Sequence, residues 1–261
     1  RRATWPFDAD DAAQHHLIDE GWVWMLRLEN GITSVGATSA NHSVSADQLA
    51  SLLESRFASC EGLSLILRGA KIAEYPGRIF RVPGIQRLFH PVVNQRCVML
   101  PTAACTLDPL HSTGIAHALS GAIRIGEWFE QGCQKEALRD YGDCVVSEAL
   151  HLDRMVSLAY RAMKGSFPLF AASCMVYFAA AIACEEGLIG GDYPRGYWLS
   201  DDADFREAVL QCERSLDLSA IPGLTEEQRI ERVQSVLAPW NSAGLFESAS
   251  NRYAYTATKV S

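Results

Sequence analysis

Residues 98–122 read Val-Met-Leu-Pro-Thr-Ala-Ala-Cys-Thr-Leu-Asp-Pro-Leu-His-Ser-Thr-Gly-Ile-Ala-His-Ala-Leu-Ser-Gly-Ala, and this stretch decides the fold. Val98, Met99 and Leu100 make a short apolar run suited to a buried strand, which Pro101 ends by removing a backbone donor. A loop of small and polar residues follows. Ser112 and Thr113 are then N-cap candidates for a helix that opens on the small residues 114–122. A strand–loop–helix turn aims unpaired N–H groups and the positive end of a helix dipole at one point. It therefore suits an anion or an electron-rich ring.

On the N-terminal side, residues 22–40 predict a β-hairpin, with Asn30-Gly31 as a type I′ turn. Trp22 and Trp24 fall on one face of its first strand, because strand side chains alternate. Ser45-Ala-Asp-Gln48 has the pattern of a capping box, and Leu49, Leu52, Leu53 and Phe57 follow at helical spacing. Residues 63–67, 71–75 and 78–82 read as short strands, with Gly77 and Pro83-Gly84 between and after the last two.

Beyond residue 122 the pattern is helical. The first helix continues through 123–131. A long amphipathic one covers 135–163, with Leu138, Val145, Val146, Leu150, Val156 and Leu158 inward. An apolar helix at 167–186 follows, then one at 204–216 with Phe205, Val209, Cys212 and Leu216 on one side. Thr225-Glu-Glu-Gln228 caps a last helix, which Pro239 ends. Mixed strand and helix giving way to helix alone predicts an α+β chain: a sheet region with a helical C-terminal region packed on it.

The 261 residues are enough for a sizeable core. A net charge of −8 with no basic run argues against nucleic acid and anionic membrane surfaces as partners. Eight scattered cysteines without a Cys-x-x-Cys pair read as buried small hydrophobes in a reducing, cytoplasmic compartment. The apolar run 169–184 is shorter than the ~18–20 residues a membrane span needs, which predicts a buried helix and no span. Glu148-Ala-Leu-His151 is a single Glu-x-x-His pair. A di-iron bundle needs two such pairs, so no metal site is expected, and Glu148, His151 and Asp153 are placed on a polar helix face. Ser112 lacks the G-x-S-x-G elbow of a nucleophile. His117, inside the helix, reads as a packed histidine. His111 directly precedes the helix start, where a dipole favours neutral imidazole. It is a candidate catalytic residue, or a loop histidine bonded to a backbone carbonyl.

Three segments resemble the flavin-dependent halogenases and their relatives among FAD-dependent monooxygenases. Residues 100–114 align without gaps on that family's Leu-Gly-Asp-Ala-Ala-Gly-Phe-x-Asp-Pro-Leu-x-Ser-x-Gly run, and Trp22 and Trp24 match both tryptophans of its Trp-x-Trp box. Phe167-Pro-Leu-Phe and Tyr177-Phe-Ala-Ala-Ala resemble a helix of its C-terminal half. The resemblance implies an incomplete α/β FAD-binding-type fold. Residues 1–96 would be part of a β-rich substrate domain, 97–132 the strand–loop–helix of the FAD domain, and 133–261 the helical C-terminal region. It implies FAD as cofactor, contacted by Thr102, Asp108, Pro109, Leu110, Ser112, Thr113, Gly114 and Ile115, with Thr113 and Gly114 also facing a halide. Trp22 and Trp24 would wall a pocket for an aromatic or other small organic substrate. In the halogenases a hydroperoxide of reduced FAD, the flavin being supplied by a separate reductase, oxidises chloride to hypochlorous acid.

No Gly-x-Gly-x-x-Gly loop occurs in these residues, so the expectation is a C-terminal fragment, inactive alone, whose partner is the missing N-terminal FAD-binding half. Three positions depart from the family run. Pro101-Thr102 stands for Gly-Asp, Cys105 for a glycine, and His111 for a glutamate that tryptophan halogenases use. Thr102 offers one neutral hydrogen bond, worth ~1 kcal/mol, where the family has a charged one worth ~1.5–3 kcal/mol. A flavin-deficient binding or assembly module of the same fold, or a flavin reductase of isoprenoid-type substrates, are the alternatives.

Overall fold

The N-terminal strands form because alternating apolar residues find a partner on each side. In the computed structural model, which describes residues 12–18, 21–39, 54–55, 57–58, 60–75, 77–192 and 195–247, β1 (Gln14–Ile18), β2 (Gly21–Arg27) and β3 (Thr33–Ser39) make an antiparallel sheet in that order. The β2–β3 hairpin is the expected one, but β1 was not legible in Gln-His-His-Leu-Ile. Its turn differs too. Gly31 alone has positive φ (81°), and Gly31 N donates to Leu28 O at 3.0 Å while Leu28 N donates to Ile32 O at 2.9 Å. That is a three-residue loop with a glycine bulge in place of a type I′ turn, held by Asn30 Oδ1 accepting from Ile32 N at 3.1 Å.

Val23 and Met25 pack from one sheet face against Leu63 of α1 (Glu61–Ile66). Residues 63–66 are thus helical, with Leu67 as the C-cap, and not a strand: Leu63 and Leu67, four apart, both join this cluster. The segments 71–75 and 78–82 are likewise not strands. Gly69, Gly77 and Gly84 turn the backbone through positive φ around them, and no strand pairs with either among the described residues. Ser45–Gln48 and Leu49, Leu52 and Leu53 lie outside the described residues. Phe57 packs against the sheet cluster.

After Pro83 the chain forms a second compact unit. The expected strand at 98–100 is reduced to one bridge, Val98 to Val93, because Pro101 starts a helical turn, α2 (Pro101–Ala104), at the position proline favours. A two-residue ladder follows, in which β4 (Arg87–Leu88) pairs with β5 (Cys105–Thr106). Next come α3 (Gly114–Glu130), α4 (Lys135–Met163), α5 (Phe167–Ile189), α6 (Ala203–Leu216) and α7 (Glu226–Leu237).

Helix α5 is apolar on every side and sits at the centre of the core, as such a helix must. Val176, Ala179 and Ala180 meet Leu152, Met155 and Leu158 of α4, Phe205 and Val209 of α6, and Val233 and Leu237 of α7. At 23 residues it is long and apolar enough to cross a membrane by length and composition, and 56% of its most apolar stretch is buried inside the fold. All four expected residues of α6 are buried, and both halves of the Thr225–Gln228 capping box form. In α4 the expected inward set needs correcting. Leu150 is 58% exposed, whereas Glu148 and His151, assigned to a polar face, are buried at 0% and 7% exposure. All eight cysteines are free thiols.

Candidate cofactor site

The turn between β5 and α3 is pinned from behind by its own side chains. Asp108 caps a 3-10 turn (Pro109–His111), its Oδ1 accepting from Leu110 N at 2.9 Å. Its Oδ2 accepts from the Tyr160 hydroxyl of α4 at 2.8 Å. Leu110 and Thr113 are buried, and the His111 ring stacks on Tyr177 of α5 with centroids 4.3 Å apart. Ser112 then takes the left-handed conformation (φ 54°, ψ 30°), which a residue with a Cβ adopts at a cost of ~1–3 kcal/mol. These four anchors impose it. The chain leaves Ser112 directly into α3, with Thr113 as N-cap and His117 N donating to Thr113 O at 3.0 Å.

In front of this turn is a cavity of about 480 Å³. Thr102 of α2, Asp108, Pro109, Ser112, Gly114 and Ile115 line it, joined by Leu107, Ala118 and Leu119. Six of the eight residues expected at a flavin are therefore brought together, from two segments. Leu110 and Thr113 are buried behind the wall and do not line it. His111 is not a lining residue either, its ring being engaged with Tyr177 and, edge-on, with Phe178 at 6.2 Å. Cys105, where a family glycine was expected to approach the cofactor, is also absent from the lining. It is 5% exposed, 3.8 Å from His117 Nδ1, with a thiol pKa pushed up to about 11 by burial and then by the Glu148 charge. Trp22 and Trp24 belong to the sheet of the first unit, where their rings lie 5.8 Å apart. Trp22 is 2% exposed against His15, and Trp24 covers Gly36.

A second set of polar groups lies behind α3, and sequence reasoning missed it. Glu148 Oε1 accepts from Arg124 Nη2 and Tyr197 N, each at 2.7 Å, and Oε2 accepts from Arg124 Nη1 at 3.0 Å. His117 Nε2 lies 3.2 Å from Oε2. Arg124 Nη2 also reaches Arg195 O at 2.7 Å, and the Cys144 thiol donates to the same carbonyl at 3.2 Å. One carboxylate thus ties α3, α4 and the loop before α6. Burial alone would raise the Glu148 pKa. The hydrogen bonds from His117 and Arg124, the Arg124 charge and the Tyr197 N–H outweigh it and hold the carboxyl below the ordinary carboxylate value. The same burial and the Glu148 charge push Cys144 up to about 12. His151, the other half of the Glu-x-x-His pair, is held by Trp198 O at 3.0 Å, and burial lowers its pKa. Both members are thus committed to protein partners. Among the described residues no group of three or more His, Cys, Asp or Glu is placed to hold a metal. The available signal was helical phase: Glu148 falls one turn after Cys144 and one before Leu152, on the buried side of α4.

The cavity wall includes the start of a helix. First-turn N–H groups of a helix have no intrahelical acceptor, and those of α3 begin at Gly114 on the cavity wall. A Cβ built on Gly114 meets no atom within 4 Å, so the space there is open to a ligand.

The sequence pattern of the tryptophan halogenase family matches residues 12–170. No curated protein sequence matches the chain. Among solved structures, halogenase PltM is similar at a TM-score of 0.69 and 17% identity, over 92% of this chain and 53% of that one. A PltM variant in complex with FAD is similar at 0.68 and 16%, with the same coverage. At these identities the likeness is one of fold, and the chain spans about half the length of the structures it matches.

Proposed function

The chain belongs to the tryptophan halogenase family, and on that premise we propose that it is the C-terminal part of an FAD-dependent, halogenase-like monooxygenase. The substrate proposed is a small aromatic or other organic molecule. The observation that carries this reading is the gathering of Thr102, Asp108, Pro109, Ser112, Gly114 and Ile115 around one cavity at the start of α3. Bound reduced FAD, delivered by a separate reductase, supplies oxygen activation. This chain's own residues do the rest. Gly114 lets the ring approach the backbone, and the N–H groups at the start of α3 face its electron-rich edge or a halide. Pro109 and Ile115 exclude water, and the Thr102 hydroxyl gives one hydrogen bond. His111 is a positioning residue, holding the turn against α5. Free thiols at all eight cysteines support a reducing, cytoplasmic setting.

A second reading, a flavin-deficient assembly module, is favoured by one feature. Thr102 brings no charge, and the Asp108 carboxylate is bonded to Leu110 N and Tyr160. Anaerobic titration with FAD and reduced FAD separates the two. The flavoprotein reading expects saturable uptake that falls at least ten-fold in Gly114→Leu, whose side chain fills the open space. Uptake by Thr102→Asp but not by the natural sequence establishes the module, and uptake by neither sinks the flavin assignment.

A further inference from the structure

Two bulky residues in succession take the left-handed backbone conformation between α5 and α6. Trp198 has φ 56° and ψ 31°, and Leu199 has φ 56°. For residues with large side chains that conformation is an outlier. It persists only where the surroundings over-determine it, and such places cluster at functional sites. Every polar group of Trp198 is held. Its backbone N–H donates to Cys184 Sγ of α5 at 3.0 Å, and its carbonyl accepts from His151 Nε2 of α4 at 3.0 Å. Its indole Nε1–H donates to the Tyr177 hydroxyl of α5 at 3.3 Å. The residues before it are tied to the polar groups behind α3: Tyr197 N donates to Glu148, and Arg195 O accepts from Arg124 and Cys144.

Both side-chain contacts of this indole lead to the cofactor turn. Tyr177, which accepts from it, carries the His111 ring stacked within 11° of parallel, and His111 directly precedes the left-handed Ser112. The indole also meets the His117 ring edge-on, at 5.8 Å and 77°. His117 lies one turn into α3, with its N–H bonded to Thr113 O. One side chain thus reaches the residue before the strained Ser112 and the helical turn after it. We propose that residues 195–200 clamp the cofactor turn from behind, with Trp198 as a positioning residue for the flavin: through Tyr177 and His117 it fixes where Ser112 and Gly114 stand on the cavity wall. This rests on the flavin reading above. Trp198 is 3% exposed and does not line the cavity, so it acts through the turn and not by touching a ligand.

The test removes the indole–phenol bond from either side. Tyr177→Phe keeps the ring stacked on His111 and loses the acceptor; Trp198→Phe keeps an aromatic ring beside His117 and loses the donor. Both, and the double variant, are compared with the natural sequence in the protein isolated from the cells that produce it. Thr225→Ala on α7 is the control for a loss of stability remote from the turn. Two quantities are read: affinity for reduced FAD by anaerobic titration, and the His111 ring resonances in isotope-labelled histidine, assigned through His111→Gln, which the stacked Tyr177 ring displaces. The proposal expects Tyr177→Phe to weaken flavin binding about five-fold, the equivalent of one neutral hydrogen bond, and Trp198→Phe to weaken it at least as much. The double variant is expected to lose no more than Trp198→Phe, the His111 resonances to shift in all three, and Thr225→Ala to move neither reading. Where Trp198→Phe does not fold, Tyr177→Phe decides. Variants that melt earlier but keep the natural affinity and resonances overturn the proposal, since the loop is then packing alone. Losses that multiply in the double variant also overturn it, because the two side chains then act separately. The resonances need no flavin, which separates the two claims. Shifted resonances in a protein whose natural sequence binds no flavin keep the clamp on the turn and sink the flavin reading; flavin uptake that the variants leave unchanged does the reverse.

Discussion

Glu148→Gln tests whether the buried carboxylate holds the helical unit together. The substitution keeps the size and removes the charge from a group with no exposure, facing an Arg124 side chain that is 15% exposed. It also replaces one of two acceptor oxygens by an N–H₂, so the donors that faced that oxygen now meet a donor. Removing one partner of a buried ion pair costs ~3–5 kcal/mol because the other charge is left uncompensated. Arg124 retains Arg195 O at 2.7 Å and the face of Tyr197 at 5.0 Å, so the lower end applies, about 3 kcal/mol. For a unit of this size that lowers the melting temperature by ~6–12 °C. The pH dependence has a definite sign. The Glu148 pKa lies below its ordinary 4.5 in the folded state, so its contribution is whole above that value and is lost as pH falls through the folded value. The gap between natural protein and variant is therefore constant at neutral pH and narrows below about 4.5. Scanning calorimetry across pH 3.5–8 measures it. A variant melting within ~2 °C of the natural protein at pH 7, or a gap that does not narrow in acid, refutes the reasoning.

Gly121→Ala places a Cβ 2.2 Å from Pro101 Cδ, so α2 and α3 must part; a loss of ~1–3 kcal/mol is expected in a thermal melt, with flavin affinity falling as Thr102 moves. Tyr160→Phe removes the 2.8 Å bond to Asp108 Oδ2, a bond to a charged acceptor worth ~1.5–3 kcal/mol, and urea unfolding gives the loss. Thr225→Ala removes the capping box of α7 at a cost of ~1 kcal/mol, seen as a fall in melting temperature of ~2–4 °C.

The helices were legible because their apolar residues repeat with the helical period and their ends carry cap residues: 135–163 was read to the residue, and Thr225 and Gln228 form both bonds of the box. The short strands were not. Apolar runs such as 63–67 fit a buried helix turn as well as a strand, and tertiary contact with Val23 and Met25 decides between them. At 98–101 a proline that ends a strand and a proline that begins a helix are the same residue, and Pro101 does the second. The cavity residues were legible through a contiguous motif. Glu148 is not legible, because a charged helix residue reads as solvated and only two donors distant in sequence, Arg124 and Tyr197 N, make its burial favourable.

The pinned turn explains which properties the cavity wall has. Leu110, His111 and Thr113 turn their side chains toward the core, and both Asp108 oxygens are engaged, by Leu110 N and by Tyr160. Beside the engaged Asp108 the wall has Pro109, Ser112, Gly114 and the first turn of α3, which offer shape and partial positive charge from peptide N–H groups. Asp108 therefore acts through position: replacing it changes where Ser112 and Gly114 stand before it changes any charge a ligand meets. Thr102, on the wall contributed by α2, is where a carboxylate can be introduced without disturbing that turn, since its side chain is exposed at the second position of α2. On the proposed flavin reading, such a carboxylate would accept from hydroxyl donors of the ligand and oppose the attraction of the α3 terminus for its anionic edge.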